Sequence, residues 1–108
     1  MGTFTVTREN DGNYYVTLKS KNGQIILNSL KHLSLSSCKD GIETIRTCAI
    51  DNLKYDYKKT FDGKFYFSLK SVRGAILGNS KLFETAEHRN IGIEAVRRTA
   101  PFAIVINL

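Results

Sequence analysis

Histidine and cysteine are the side chains most often recruited as general bases, nucleophiles and metal ligands. This chain has two of each: His32, His88, Cys38 and Cys48. A metal site needs such residues at short, regular spacing, and no C-x-x-C or H-x-x-x-H occurs. Catalysis needs a nucleophile or acid/base beside an orienting partner. Neither histidine has an acid, serine or cysteine at a spacing that reads as such a set, so both are expected as exposed loop or helix residues. No P-loop or G-x-G-x-x-G is present to cradle phosphates. The expectation is a protein that is not an enzyme, with no catalytic residues, no metal and no cofactor.

The residue types that remain are aromatic and basic. "NYYVTLK" (Asn13–Lys19) and "KFYFSLK" (Lys64–Lys70) alternate in the period of a strand. With Tyr14, Val16, Leu18 and Phe65, Phe67, Leu69 turned to a core, the opposite face carries Tyr15, Thr17, Lys19, Tyr66, Ser68 and Lys70. On adjacent strands these six make an open aromatic-basic platform, a chemistry that stacks bases and holds phosphates in single-strand binders. Plain cross-strand packing on a solvated sheet face uses the same residue types.

Charge points the same way without deciding it. The chain carries +6 with a pI near 9.5. Up to Asn52 there are six basic and five acidic residues; beyond it there are ten and five. A basic second half suits nucleic acid or another polyanion, and it also suits simple solubility.

The elements that must position these residues are written twice. A shift of 51 positions aligns "DGNYYVTLKS" (Asp11–Ser20) with "DGKFYFSLKS" (Asp62–Ser71) without a gap. Gly23 then meets Gly74, Asn28-Ser29 meets Asn79-Ser80, and Gly41-Ile42-Glu43 meets Gly92-Ile93-Glu94. A register held that long marks an internal duplication. The 108 residues are expected to form a single compact domain of two repeats, at residues 3–52 and 54–108.

Each repeat reads as three strands and a helix. In the first, "FTVT" (Phe4–Thr7) is a strand, Asp11-Gly12 a tight hairpin turn, "NYYVTLK" the second strand and "QIILN" (Gln24–Asn28) the third. The second repeat offers "YDYKK" (Tyr55–Lys59), "KFYFSLK" and "AILGN" (Ala75–Asn79). Cys38, Ile42, Ile45 and Ala49 then fall at helical steps, as do Ile93, Val96 and Ala100, with Arg89 at the first position of the second stripe. Ser34 or Ser36 caps the first helix and Thr85 the second, and Pro101 ends the second. On the first helix Cys38 and Cys48 stand about 15 Å apart, too far for a disulfide, and read as small buried hydrophobes. Glu43 with Arg46, and Glu94 with Arg97, have the spacing of surface ion pairs.

Gly41 and Gly92 sit inside these helices at a cost of about 1 kcal/mol each. The same glycine in both repeats suggests that the helix backbone lies close on the sheet. The last segment, "FAIVINL" (Phe102–Leu108), has no counterpart; apolar on both faces, it is expected in a buried position in the sheet.

The layout "DGKFYFSLKS…GN…S…GIEAVRR", written twice in tandem, resembles the YegP family, small bacterial proteins built from a domain of unknown function of about fifty residues. The resemblance implies an α+β fold of two tandem β-β-β-α units, each completed by a further strand. One continuous antiparallel sheet carries both helices on one face, with the C-terminal strand exchanged between halves. It also implies that single-repeat relatives reach this architecture as dimers, and it brings no established activity, cofactor or catalytic residue. The chain is therefore expected to be a non-enzymatic binding or assembly module, with single-stranded nucleic-acid binding as the alternative. A protein partner or self-association is expected rather than a membrane, because the longest apolar run falls well short of the ~20 residues of a span. With no signal peptide pattern at its start, the chain is expected in the cytoplasm.

Overall fold

The computed structural model describes residues 2–106. Gly12 and Gly63 have φ of 82° and 90°, the left-handed backbone that a tight turn requires and a Cβ opposes. Around these turns the chain folds as β1 (Thr3–Arg8), β2 (Tyr14–Lys19), β3 (Ile25–Ser29) and α1 (Leu35–Ala49). A short 3-10 turn, Asn52–Lys54, leads into β4 (Tyr55–Lys59), β5 (Phe65–Lys70), β6 (Ile76–Asn79), α2 (Ala86–Thr99) and β7 (Ile104–Ile106). Ser34 is the cap of α1, its Oγ accepting from the Ser37 amide at 3.1 Å; Thr85 does the same for His88 at 3.0 Å. Each such cap contributes about 1 kcal/mol.

The described strands form one seven-stranded sheet in the order β4-β5-β6-β3-β2-β1-β7. Its two hairpin triplets meet through their third strands, where Asn28 pairs with Asn79 and Ser29 with Gly78. Asn28 thus faces the residue 51 positions beyond it. A one-residue slip between Leu18 and Lys19 recurs between Leu69 and Lys70. Beside these bulges Ile26 and Leu77 turn onto the core.

Both helices cover one face. Cys38, Ile42, Ile45 and Ala49 of α1, and Ile93 and Val96 of α2 with Ala100 beyond it, are buried against Phe4, Val6, Val16, Leu18, Leu27, Phe67 and Leu69. Fully burying a side chain such as Phe67 or Leu18 is worth roughly 1.5–3 kcal/mol. Helix α1 touches β2 but also β5 and β6, and α2 touches β5 and β3, so each helix spans the seam. Arg89 keeps its place on the α2 stripe by laying its guanidinium over Tyr57, 4.9 Å from the ring centre, and donating to the Lys58 carbonyl at 3.2 Å.

The helical glycines admit rings rather than the sheet at large. A Cβ on Gly41 would stand 2.7 Å from Cε1 of His32, and one on Gly92 would stand 2.7 Å from Cζ of Phe83. His32 and Phe83 are held there by backbone bridges to Tyr14 and Phe65.

Strand β7 leaves the second half and pairs with β1 of the first, which is the expected exchange. Two details differ from expectation. The β1–β7 pairing is parallel whereas the other five are antiparallel. And β7 is an edge strand, with Ile104, Val105 and Ile106 exposed at 56%, 39% and 47%. Apolar composition records a tendency to be buried, but no described strand lies beyond β7 to bury it. The last two residues of that segment lie outside the described residues.

Candidate functional site

The six platform residues share the helix-free face of the sheet, but β2 and β5 are not adjacent. The strands β3 and β6 lie between them, so Tyr15, Thr17 and Lys19 stand about 14 Å across the sheet from Tyr66, Ser68 and Lys70. The registers run Thr5–Thr17–Asn28–Asn79–Ser68–Asp56 across six strands, a polar row that occupies the middle of the face. Ser68 is fully buried in it and donates its hydroxyl to Oδ1 of Asn79. Lys70 is spoken for by Asp56, 2.9 Å away. Tyr15, Thr17, Lys19 and Tyr66 remain half-buried on the face. Sequence order does not reveal that the halves join by their third strands, and so the platform reads as continuous when it is split.

His32 is also placed differently from expectation. It is half-buried, and its Nδ1 lies 2.8 Å from the Ser37 hydroxyl. Burial pushes its pKa below the ordinary histidine value. The bond joins the β3–α1 connection to the first turn of α1 and steadies the ring over Gly41. No carboxylate enters the hydrogen bonds of His32 among the described residues, so the pair lacks the third member of a catalytic set. Cys38 and Cys48 are free and buried, and burial raises the Cys38 thiol away from reactivity. Among the described residues no three His, Cys, Asp or Glu side chains gather at metal-binding distance.

A surface that sequence reasoning missed lies between β3 and α2. There a groove of about 380 Å³ is lined by Ile25 and Ile26 of β3, Leu82 and Phe83, and Ile91 and Ala95 of α2. Gln24, Lys81, Glu84 and His88 contribute its polar groups. Glu84 is engaged by the Lys64 ammonium through both carboxylate oxygens. Lys81 enters no ion pair among the described residues; its ammonium lies 5.5 Å from the centre of the Phe83 ring. Ile91 is 65% exposed, and with exposed Ile25 and Leu82 it makes the rim of the groove apolar.

The signal for this groove was present in the duplication. At the positions 51 residues earlier, Leu82, Phe83, Ile91 and Ala95 are Lys31, His32, Asp40 and Thr44. At these four positions the first half is polar and the second apolar, whereas at Lys81 and Glu84 the order is reversed, with Leu30 and Leu33 in the first half. Matching the repeats for identity passes over this, because the information lies in where they differ.

This combination defines a class: a small α+β protein whose β-β-β-α order is written twice and closed by an exchanged strand. A family model described as "Domain of unknown function (DUF1508)" matches the chain in two segments, residues 9–56 and 62–106, and the chain belongs to that family. It is similar to the UPF0339 protein YegP of Escherichia coli K12, 34% identical over 96 residues covering 89% of this chain and 87% of YegP. The UPF0339 protein in the ptx operon 5′ region of Stutzerimonas stutzeri is 34% identical over 107 residues, 99% and 96% of the two chains. The solution NMR structure of the Escherichia coli yegP protein matches with a TM-score of 0.93 at 32% identity, covering 98% of this chain and 91% of that one. UPF0339 protein SO3888 from Shewanella oneidensis gives 0.94 at 25% identity, covering 99% and 91%. The family is one of unknown function, and no activity comes with membership. Among the described residues no helix is long and apolar enough to cross a membrane.

Proposed function

We propose that the chain is a non-enzymatic binding and assembly module, one compact domain of two fused repeats (3–52 and 54–108) that works in the cytoplasm. The observation that carries this reading is the groove beside α2, where Phe83, exposed Ile91 and Ala95 stand at positions that hold His32, Asp40 and Thr44 in the first half. Grooves of a few hundred Å³ lined by apolar groups with few polar ones are the usual form of a ligand site. Free, buried thiols at Cys38 and Cys48 suit a reducing compartment. The test is co-purification scored for protein, nucleic acid and small molecules, with Ile91→Asp as the control. A reproducible companion lost in the variant supports the reading. A lone monomer carrying nothing, from either form, overturns it.

A second reading is single-stranded nucleic-acid binding on the helix-free face, by Tyr15, Thr17, Lys19, Tyr66, Ser68 and Lys70. Two observations favour it: the face is left uncovered by both helices, and Lys19 enters no ion pair among the described residues. The burial of Ser68 and the Lys70–Asp56 pair reduce what this surface offers. Salt-sensitive binding of mixed oligonucleotides that falls on Tyr15→Ala with Tyr66→Ala supports it. Absence of binding at low salt removes it.

A further inference from the structure

We propose that the groove between β3 and α2 is the site of a small anionic amphiphile, an apolar chain or ring bearing a single carboxylate. This rests on the reading of the groove as the binding surface and adds the chemistry of what fills it. The apolar body is matched by the lining: Ile25, Ile26, Phe83, Ile91 and Ala95 leave about 380 Å³ between strand and helix, the low end of the range for small-molecule sites. The head is selected by charge. Glu84, the acid among the lining residues, already accepts the Lys64 ammonium on both oxygens. That leaves Lys81, over the Phe83 ring and without an acid partner among the described residues, as the unmatched charge at the groove. An ammonium at the edge of an apolar groove favours a ligand that is apolar at one end and negative at the other. The excess of basic residues in the second half strengthens the same preference at longer range.

The groove also carries its own control. Asp40 stands in the first half where Ile91 stands in the second, and Leu30 stands where Lys81 does. The counterpart surface, between β6 and α1, keeps an apolar strand wall in Ile76 and Leu77. It has neither the apolar helix wall nor the cation in matching places, so the site occurs on one side of the seam only. Ile91→Asp reproduces the residue that the first half already holds at an exposed helical position, so the fold has a precedent for it.

The experiment is a titration of the nitrogen-15-labelled full chain with sodium decanoate, kept below the concentration at which it forms micelles, alongside decanol and acetate. The expected result is saturable shifts confined to the amides around Phe83, Ile91 and Ala95, absent with acetate and weaker with decanol. Lys81→Gln is expected to weaken decanoate about three- to five-fold, and Ile91→Asp to abolish the shifts. If decanol binds there as tightly as decanoate, and Lys81→Gln changes neither, the groove stands as an apolar site and the anionic head is overturned. If neither ligand moves these amides, or the shifts gather elsewhere, the groove itself fails as the binding surface.

Discussion

Tyr55 donates its hydroxyl to the carbonyl of Ala49 at 2.7 Å, closing the C-terminal end of α1 from inside the core. At the end of α2 the counterpart carbonyl, that of Ala100, accepts instead from Arg46 at 3.1 Å, and Arg46 also donates to Pro101 at 3.3 Å. Phe4 stands where Tyr55 would be, with no hydroxyl to give, and the Arg46 guanidinium lies 5.1 Å over its ring. Helix ends leave carbonyls that must find donors. The two halves solve this with different residues, one local and one reaching from the other helix.

Tyr55→Phe is expected to cost about 1–2 kcal/mol, because the Ala49 carbonyl is left buried without its donor. Its pH signature is specific. Burial raises the Tyr55 phenol above its ordinary value of 10.0, so the folded state holds this proton more tightly than the unfolded chain. The stabilisation is complete below pH 10 and is lost as pH rises toward the folded value, at up to about 1.4 kcal/mol per pH unit. Urea unfolding from pH 8 to 11 should show a steeper loss in the parent than in Tyr55→Phe. Parallel profiles would refute the assignment.

Arg46 and Arg97 read as the same surface residue in the sequence, each three beyond a glutamate. Both do form that pair, at 3.1 Å with Glu43 and 3.3 Å with Glu94. Exposed pairs of this kind contribute little. Only Arg46 also holds two carbonyls of the α2 terminus and covers Phe4. Arg46→Ala should therefore destabilise by about 1 kcal/mol or more beyond Arg97→Ala in denaturant unfolding. Equal losses would mean that the contacts with Ala100 and Pro101 carry no weight.

What the sequence makes legible is what repeats or alternates. Asp-Gly placed the hairpins, alternation separated Val16 and Leu18 from Tyr15 and Thr17, and steps of three and four placed Ile42 and Ile45 toward the sheet. Each is a local rule, satisfied within a few residues. Relations that span the chain were not legible. Which strands meet at the seam, whether β7 is central or at an edge, and whether Ser68 is covered all depend on pairings between distant segments. The groove escaped notice for a different reason. A duplicated chain advertises what it keeps, whereas Ile91 against Asp40 is a difference.

Gly92→Ala improves intrinsic helix propensity, yet is expected to destabilise by about 1–3 kcal/mol. The new methyl would meet Cζ of Phe83 at 2.7 Å and Cε2 of Phe67 at 3.3 Å, and overpacking in a filled core outweighs the propensity gain. Gly41→Ala faces the His32 ring instead, at 2.7 Å. That ring can be removed. In a thermal melt the double variant Gly41→Ala with His32→Ala should recover stability relative to Gly41→Ala alone. A double variant no better than the sum of its parts would show that the ring is not what excludes the methyl.

At the seam the remedy should fail, for a physical reason. The β3–β6 junction pairs Asn28 with Asn79 and Ser29 with Gly78, and Leu27 packs where a side chain on Gly78 would go. Leu27 and Gly78 are counterparts 51 residues apart, lying close to each other across the junction. Two identical chains meeting there would bring the same residue twice, whereas a tandem chain is free to set a leucine against a glycine. A Cβ on Gly78 would come within 3.2 Å of Cγ of Leu27, but also within 2.7 Å of the Asn28 carbonyl oxygen. Leu27→Ala removes the first contact and leaves the second, which belongs to backbone held in the sheet. Gly78→Ala should therefore cost about 1–3 kcal/mol, with no relief in combination with Leu27→Ala, and should speed hydrogen exchange at β3 and β6 before the outer strands. Rescue by Leu27→Ala would place the limit in side-chain packing and remove the backbone contact as its cause.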